Sequence, residues 1–246
     1  LRGVQILALG FVVIILVGTI LLTLPISTAS GESTSFLDAL FTATSAVCVT
    51  GLIVVDTGSY WNMFGQTIIM ILIEIGGLGF MSFTTLIAII LGKKITLRER
   101  LILQDAMNTF NIQGLVKMVK YVLVFTVSVQ FFGALLLSTQ FIPEFGFGKG
   151  AFYSLFHSIS AFCNAGFDVL GKGNSLISFN TNVVVIMVLS ILIIIGGLGF
   201  TVWSELYTCK SIRRVSIHSK MVLLITTGLV VGGTLLMFLF EHNNPQ

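Results

Sequence analysis

Two short stretches carry the residue types and spacing that could do chemistry. Thr44-Ser45-Ala46-Val47-Cys48-Val49-Thr50-Gly51-Leu52 lies between two apolar segments long enough to cross a membrane. It is itself too short and too glycine-interrupted to cross one. Ile159-Ser160-Ala161-Phe162-Cys163-Asn164-Ala165-Gly166-Phe167 is a second copy: placing Phe41 on Phe156 superimposes Ser45 on Ser160, Ala46 on Ala161, Cys48 on Cys163 and Gly51 on Gly166. No nucleophile–base pair, metal cluster or phosphate loop stands out, so the chemistry on offer belongs to the backbone. Carbonyls presented inside a membrane can replace the hydration shell of a cation. The plainer role for Gly51 and Gly166 is that of turn glycines supplying positive φ. Against it, loop backbone at membrane depth is tolerated only where it is buried in protein or lines a water-filled cavity.

Each stretch needs a short helix to present it and longer helices to hold it. Ser35 and Asp38 have capping-box spacing and predict a helix running to about Val47. Too short to span, that helix would bring the partial negative charge of its C-terminal end to the first loop. Residues 151–162 form its counterpart before the second loop, after a connector at 143–150. The apolar runs predict five spans: 4–24, closed by Pro25; 64–91; a third led in by Lys117 and Lys120 and ending near Gln140; 182–207; and 221–240. A cleavable leader is the alternative for 4–24, but its apolar run exceeds the ~7–15 residues of such segments. Residues 56–61 have the polar and aromatic character of a membrane interface. Thr96 and Glu99 predict a short amphipathic helix, broken by the polar stretch 108–114.

Composition limits the class. With 55% hydrophobic and only 9% charged residues, and a mean hydropathy of +1.04, the 246-residue chain lacks the polar surface of a soluble domain. Three cysteines without C-x-x-C spacing argue against a disulfide framework or a zinc site. The net charge of +3 comes without a basic stripe interleaved with aromatics, which argues against nucleic acid. No Gly-x-Gly-x-x-Gly follows a strand, so no nucleotide is expected on this chain. Arg2, the basic turn Lys93, Lys94, Arg98 and Arg100, then Lys117, Lys120, Lys210, Arg213, Arg214 and Lys220 fall on one side of the spans. Only Lys149 and Lys172 fall on the other. The positive-inside rule therefore predicts a multi-pass membrane protein with a cytoplasmic N-terminus and both loops opening outward. Glu32, Asp38, Asp56, Glu144, Asp168 and Glu241 would give the outer side an excess of carboxylates that draws cations to its mouth.

The repetition extends past the loops, because Glu74-Ile75-Gly76-Gly77-Leu78-Gly79-Phe80 returns as Ile194-Ile195-Gly196-Gly197-Leu198-Gly199-Phe200. The fold expected is an all-α membrane protein built of parallel helix–pore loop–helix repeats. Residues 1–100 form the first repeat with its cytoplasmic basic turn, 101–215 the second, and 216–246 the first helix of an incomplete third. An ion-coupled secondary transporter for another solute is the alternative function. It predicts inverted repeats, and the parallel order argues against it. A membrane enzyme is a weaker alternative, supported by Glu74 alone.

These residues resemble the Trk/Ktr/HKT superfamily of potassium transporters, and within it the membrane subunits of bacterial Ktr systems. Ala46-Val47-Cys48-Val49-Thr50-Gly51-Leu52, Phe162-Cys163-Asn164-Ala165-Gly166-Phe167 and the paired Gly-Gly-Leu-Gly-Phe runs carry the resemblance over nearly the whole chain. It implies four such units around a pseudo-fourfold pore axis, with potassium translocated and sodium as a possible second ion. It implies that Gly51 and Gly166 are filter glycines, and that carbonyls of Val49, Thr50, Gly51, Asn164, Ala165 and Gly166 face the ion. It further implies a homodimer in membrane lipid, seated on a cytosolic ring of nucleotide-binding regulatory subunits that Lys93, Lys94, Arg98 and Arg100 would contact. With two complete units and one further helix, the chain is expected to be part of a longer one.

Four residues flank the expected site: Cys48, Leu52, Cys163 and Phe167. The two cysteines are expected to pack rather than to pair, since equivalent positions in separate repeats need not be within disulfide reach. Glu74 is the only acidic residue well inside a span, and its counterpart is Ile194. A buried pair with a basic residue in the part of the protein outside this chain and a place on the ion path are both open for it. The Gly-Gly-Leu-Gly runs are expected to be close-packing surfaces. His157, His218 and His242 are expected to be ordinary interfacial residues.

Overall fold

A chain this apolar must satisfy its backbone inside helices and join those helices through small residues. The computed structural model describes residues 3–79, 115–171, 175–209 and 215–241, and every regular element among them is helical. They are α1 (Gly3–Thr23), α2 (Phe36–Val47), α3 (Thr57–Tyr60), α4 (Met63–Leu78), α5 (Leu115–Phe145), α6 (Phe147–Phe162), α7 (Val183–Gly197), α8 (Phe200–Cys209) and α9 (Ile217–Glu241). Short 3₁₀ turns occupy Pro25–Ser27 and Ser175–Phe179. Among the described residues, Gln5–Thr23, Val119–Phe145 and Ile217–Glu241 are long and apolar enough to cross a membrane. The all-α membrane class expected from composition is the class found.

Residues up to Gly196 form one compact unit. Within it, α1, α2 and α4 close on Leu22, Ala39, Ala43, Ile69, Leu72 and Ile73. The buried Ala39, Ala43 and Ala46 recur at helical spacing along α2, so α2 offers its neighbours a face of methyl groups. Gly18 completes that contact from α1: a Cβ there would press on the Leu72 side chain and stand 3.4 Å from the Ala43 methyl. A second cluster joins α5, α6 and α7 through Leu137, Phe141, Phe162, Val185, Leu189 and Leu192. The unit from Gly197 onward holds α8 and α9. Inside that unit, Glu205 accepts from the Ser216 N–H at 3.1 Å and the Ser219 hydroxyl at 2.8 Å, fixing the start of α9.

The helix expected from Ser35 and Asp38 forms as α2. The Ser35 hydroxyl accepts from the Asp38 N–H at 3.1 Å and donates to the Asp38 carboxylate at 2.7 Å. The box thus closes through the hydroxyl. Pro25 follows the end of α1 and starts a 3₁₀ turn, as its fixed φ and missing N–H favour.

Three expectations need correction. The 182–207 span is not found as a single helix, and the helix expected over 64–91 ends at Leu78, with 80–91 outside the described residues. Helix α4 has 16 residues, about 24 Å at 1.5 Å per residue, and ends at Gly79 with φ +78. Helix α7 ends before Gly199, whose φ of +83 cannot continue a right-handed helix, and α8 starts after it. Pro143 does not end the third span: α5 runs through it to Phe145, and α6 begins at Phe147 rather than near 151. Pro143 supplies no N–H to the carbonyl one turn earlier, yet α5 continues two residues past it, and the chain turns at Gly146, with φ +80. His157 is not interfacial. It is buried on the inner face of α6, against the edges of Phe141 and Phe156.

Candidate functional site

Two helices stop inside the first unit, and each passes into one of the stretches singled out above. At the end of α2, the N–H groups of Cys48, Val49 and Thr50 donate to the carbonyls of Thr44, Ala46 and Ser45 at 2.8, 3.2 and 2.9 Å. At the end of α6, those of Cys163, Asn164 and Ala165 donate to Ile159, Ala161 and Ser160 at 2.9, 3.0 and 2.8 Å. The offsets are identical. So are the backbone signs: Val49 and Gly51 have φ of +56 and +72, Asn164 and Gly166 have +58 and +74.

That bonding fixes where carbonyls can point. In a planar trans peptide the N–H and the preceding C=O point in opposite directions. Since the N–H groups of Thr50 and Ala165 turn back onto their helices, the carbonyls of Val49 and Asn164 project away from them. The C-terminal ends of α2 and α6 add partial negative charge behind both loops.

The loops meet backbone to backbone. A Cβ added to Gly51 would run into the Ala165 carbonyl oxygen and stand 3.5 Å from the Gly166 Cα. Of the six residues expected to present carbonyls, Val49, Thr50 and Gly51 lie in the first loop and Asn164, Ala165 and Gly166 in the second, and the loops touch where Gly51 meets Ala165 and Gly166. The flanking residues are placed differently: Phe167 is buried and Cys163 half-buried, whereas Leu52 and Cys48 are exposed. A cavity of about 240 Å³ adjoins the second loop, lined among others by His157, Ser160, Asn164, Asp168 and Ser175.

Side chains brace the loops unequally. The Thr50 hydroxyl donates to Ser45 Oγ at 2.9 Å. In the second loop the buried Ser160 hydroxyl donates to the Phe167 carbonyl at 2.7 Å. His157 Nδ1–H donates to the Tyr153 carbonyl at 2.7 Å, while its buried Nε2 has no partner among the described residues.

The paired glycines hold helices against the loop roots. A Cβ on Gly76 of α4 would collide with the Val47 carbonyl, and one on Gly196 of α7 with the Phe162 carbonyl. Gly77 lies against the Cys163 side chain. These contacts agree with the expected packing role. The last glycine of each run, Gly79 or Gly199, has no neighbour among the described residues within 4 Å of an added Cβ and serves the helix break instead.

Glu74 was singled out, but its partners were not. Its Oε2 accepts from Gln130 Nε2 at 2.7 Å, with the Cys163 thiol 3.6 Å away. Among the described residues its partners are an amide and a thiol. The signal that could have found Gln130 is its place as an amide deep in an apolar run, where an unbonded amide is costly. The alignment of Ser45 with Ser160 likewise marked the two hydroxyls without saying what they bond. Lys93, Lys94, Arg98 and Arg100 lie outside the described residues, as does His242.

Known proteins resemble this chain along its length. A family model described as TrkH, cation transport protein, matches residues 2–238. The potassium/sodium uptake protein NtpJ of Enterococcus hirae is 51% identical over 99% of this chain and 53% of its own length. The Ktr system potassium uptake protein B of Bacillus subtilis is 46% identical over 98% of this chain, and that of Vibrio alginolyticus 40% over 98%; each is covered for 53% of its length. The chain thus spans about half the length of the curated relatives it matches.

Proposed function

From the premise that this chain belongs to the TrkH family of cation transport proteins, we propose that it contributes two of four pore-loop units to a potassium uptake pore. The units would be parallel repeats, 1–100 and 101–215, around a pseudo-fourfold axis, with 216–246 opening a third. The names of the relatives, which take up potassium or potassium and sodium, support the ion assignment. One observation carries the reading: two loops with matched backbone bonding meet at Gly51 and the Ala165 carbonyl, with no side chain between them.

The mechanism follows from that geometry. The three N–H groups at each loop root are committed to helix carbonyls, so the peptide oxygens beyond them are free to accept an ion. Carbonyls of Val49, Thr50 and Gly51 and of Asn164, Ala165 and Gly166 replace part of the water shell of potassium as it enters. The helix ends behind them favour positive charge, and glycine at both crossing points keeps side chains out of the path. Potassium then moves inward, down the membrane potential of the plasma membrane, with the N-terminus on the cytoplasmic side.

The proposal extends to the assembly: a homodimer in lipid, regulated by a cytosolic nucleotide-binding ring. The relatives named as parts of a Ktr system support the existence of partner components. The basic residues Lys93, Lys94, Arg98 and Arg100 would supply the contact, and neutralising all four should release the ring. Retained ring binding would remove that docking role.

Rubidium-86 uptake tests the pore reading in cells lacking their own potassium transporters, using the full-length protein that carries this sequence. Gly51→Ser and Gly166→Ser, matched for surface expression, should lower rubidium affinity or admit sodium. If both leave uptake and sodium competition unchanged, the loops do not line the ion path.

A further inference from the structure

One carboxylate inside the first unit has no part in the mechanism above. Glu74 lies on α4, the helix that touches both loops: Gly76 sits under the Val47 carbonyl at the root of the first, and Gly77 against Cys163 at the root of the second. Glu74 is three residues before Gly77, on the same side of the helix. Its Oε2 collects two donors, the Gln130 amide at 2.7 Å and the Cys163 thiol at 3.6 Å.

Gln130 is itself tied down. It is buried in α5, and its main-chain carbonyl accepts from the Ser158 hydroxyl of α6 at 2.7 Å. A single connected path therefore runs from α4 through Gln130 to α6, and from the same carboxylate to the first residue of the second loop. Cys163 is two residues before Ala165, whose carbonyl approaches Gly51. A small displacement of Cys163 is thus passed to the oxygens that face the first loop. At Ile194, the counterpart of Glu74, no such acceptor exists.

We propose that Glu74 is a positioning residue for ion selection: by accepting hydrogen bonds from Gln130 and Cys163, it sets the distance between the second loop and the first. The inference rests on reading the loops as the ion path. The role is that of an acceptor in fixed geometry, not of a charge that meets the ion. Glutamine at position 74 keeps a carbonyl oxygen in the same place and should preserve the function; alanine removes the acceptor and leaves the buried amide unpaired.

The test measures the half-saturation constant for rubidium and the inhibition constant for sodium, whose ratio does not depend on how much protein reaches the surface. The full-length protein would carry Glu74→Ala, Glu74→Gln, Cys163→Ala and the double variant Glu74→Ala/Cys163→Ala. Glu74→Ala is expected to shift the ratio about three- to tenfold, the scale of one lost hydrogen bond. Glu74→Gln should stay within about twofold of wild type, and the double variant should be no worse than the poorer single one, because coupled residues do not add. An unchanged ratio in Glu74→Ala, equal damage in Glu74→Gln, or additive loss in the double variant would each overturn the assignment. Gly166→Ser in the same assay separates the two levels. If it too leaves the ratio unchanged, the pore reading fails and takes this inference with it; if it alters the ratio while Glu74→Ala does not, only this inference falls.

Discussion

The first loop and the second have the same backbone and different side chains, and the contrast separates what the shape requires from what each copy adds. Both place a left-handed residue, an ordinary one and a left-handed glycine in succession, held by N–H bonds at the same offsets. The first left-handed position is Val49 in one copy and Asn164 in the other. Asparagine enters that region readily, while a β-branched residue enters it only under strain of about 1–3 kcal/mol. The first loop therefore stores strain that the second avoids. The second is also better tied: Asn164 Nδ2 reaches the carbonyls of Phe162 and Ile193 at 3.4 Å, Ser160 bonds Phe167, and Cys163 is gripped by Gly77 and Glu74. Cys48, its counterpart in the first loop, is exposed.

The largest effect should come from the glycines that both loops rely on equally. Gly76→Ala and Gly196→Ala each drive a methyl group into a backbone carbonyl at a loop root, where no side chain can move aside. Each should cost about 3 kcal/mol or more, seen as loss of folded protein in detergent thermal melts. Normal melting of either variant would mean that the loop roots are looser than described.

Next come the crossing glycines, where the copies should part. Alanine at Gly51 meets the Ala165 carbonyl, whereas alanine at Gly166 finds Gly51 Cα only at 3.9 Å. Both positions have left-handed backbone, so both variants suffer. Gly51→Ala should weaken rubidium half-saturation about tenfold more than Gly166→Ala, given the added collision. Equal damage would show that backbone handedness alone decides.

Much of this was legible in the sequence, and the exceptions share a cause. Two copies in register located both loops, Ser35 with Asp38 located the start of α2, and paired glycines marked close helix contacts. Each of those signals is local. What failed depended on surroundings. Residues 143–150 read as a connector because proline disfavours a helix interior, yet α5 continues past Pro143 to Phe145 and the chain turns only at Gly146. The runs of glycines concealed two jobs, since Gly76 and Gly79 differ only in what lies beside them and in φ. His157 looked interfacial by polarity, yet the carbonyl one turn earlier accepts its Nδ1–H hydrogen bond and aromatic edges cover the ring. Glu74 was visible as an oddity, but its partner Gln130 is 56 positions away. No periodicity connects such a pair.

A smaller contrast lies in the serines. Ser160→Ala leaves the Phe167 carbonyl without its donor in a buried site and should destabilise by about 1–3 kcal/mol. Ser45→Ala removes a bond that the Thr50 hydroxyl can replace in part, since it also stands 3.4 Å from the Ser45 carbonyl, and about 0.5–1 kcal/mol is expected. Thermal melts of the two variants would rank them, and a reversed order would show that the second loop is not the better braced. The smallest effect is a gain. Val49→Asn gives the first loop the residue of the second and should raise stability by about 1 kcal/mol, with the melting temperature as readout. A fall would mean that the valine side chain contributes packing that outweighs its strain.

The most direct measurement is a crystal structure of the full-length protein soaked in rubidium, with anomalous scattering used to locate the ion. The account predicts a peak between the two loops, within coordination distance of backbone carbonyls from Val49–Gly51 and from Asn164–Gly166. Rubidium found elsewhere in the membrane region, with none between these loops, would contradict it.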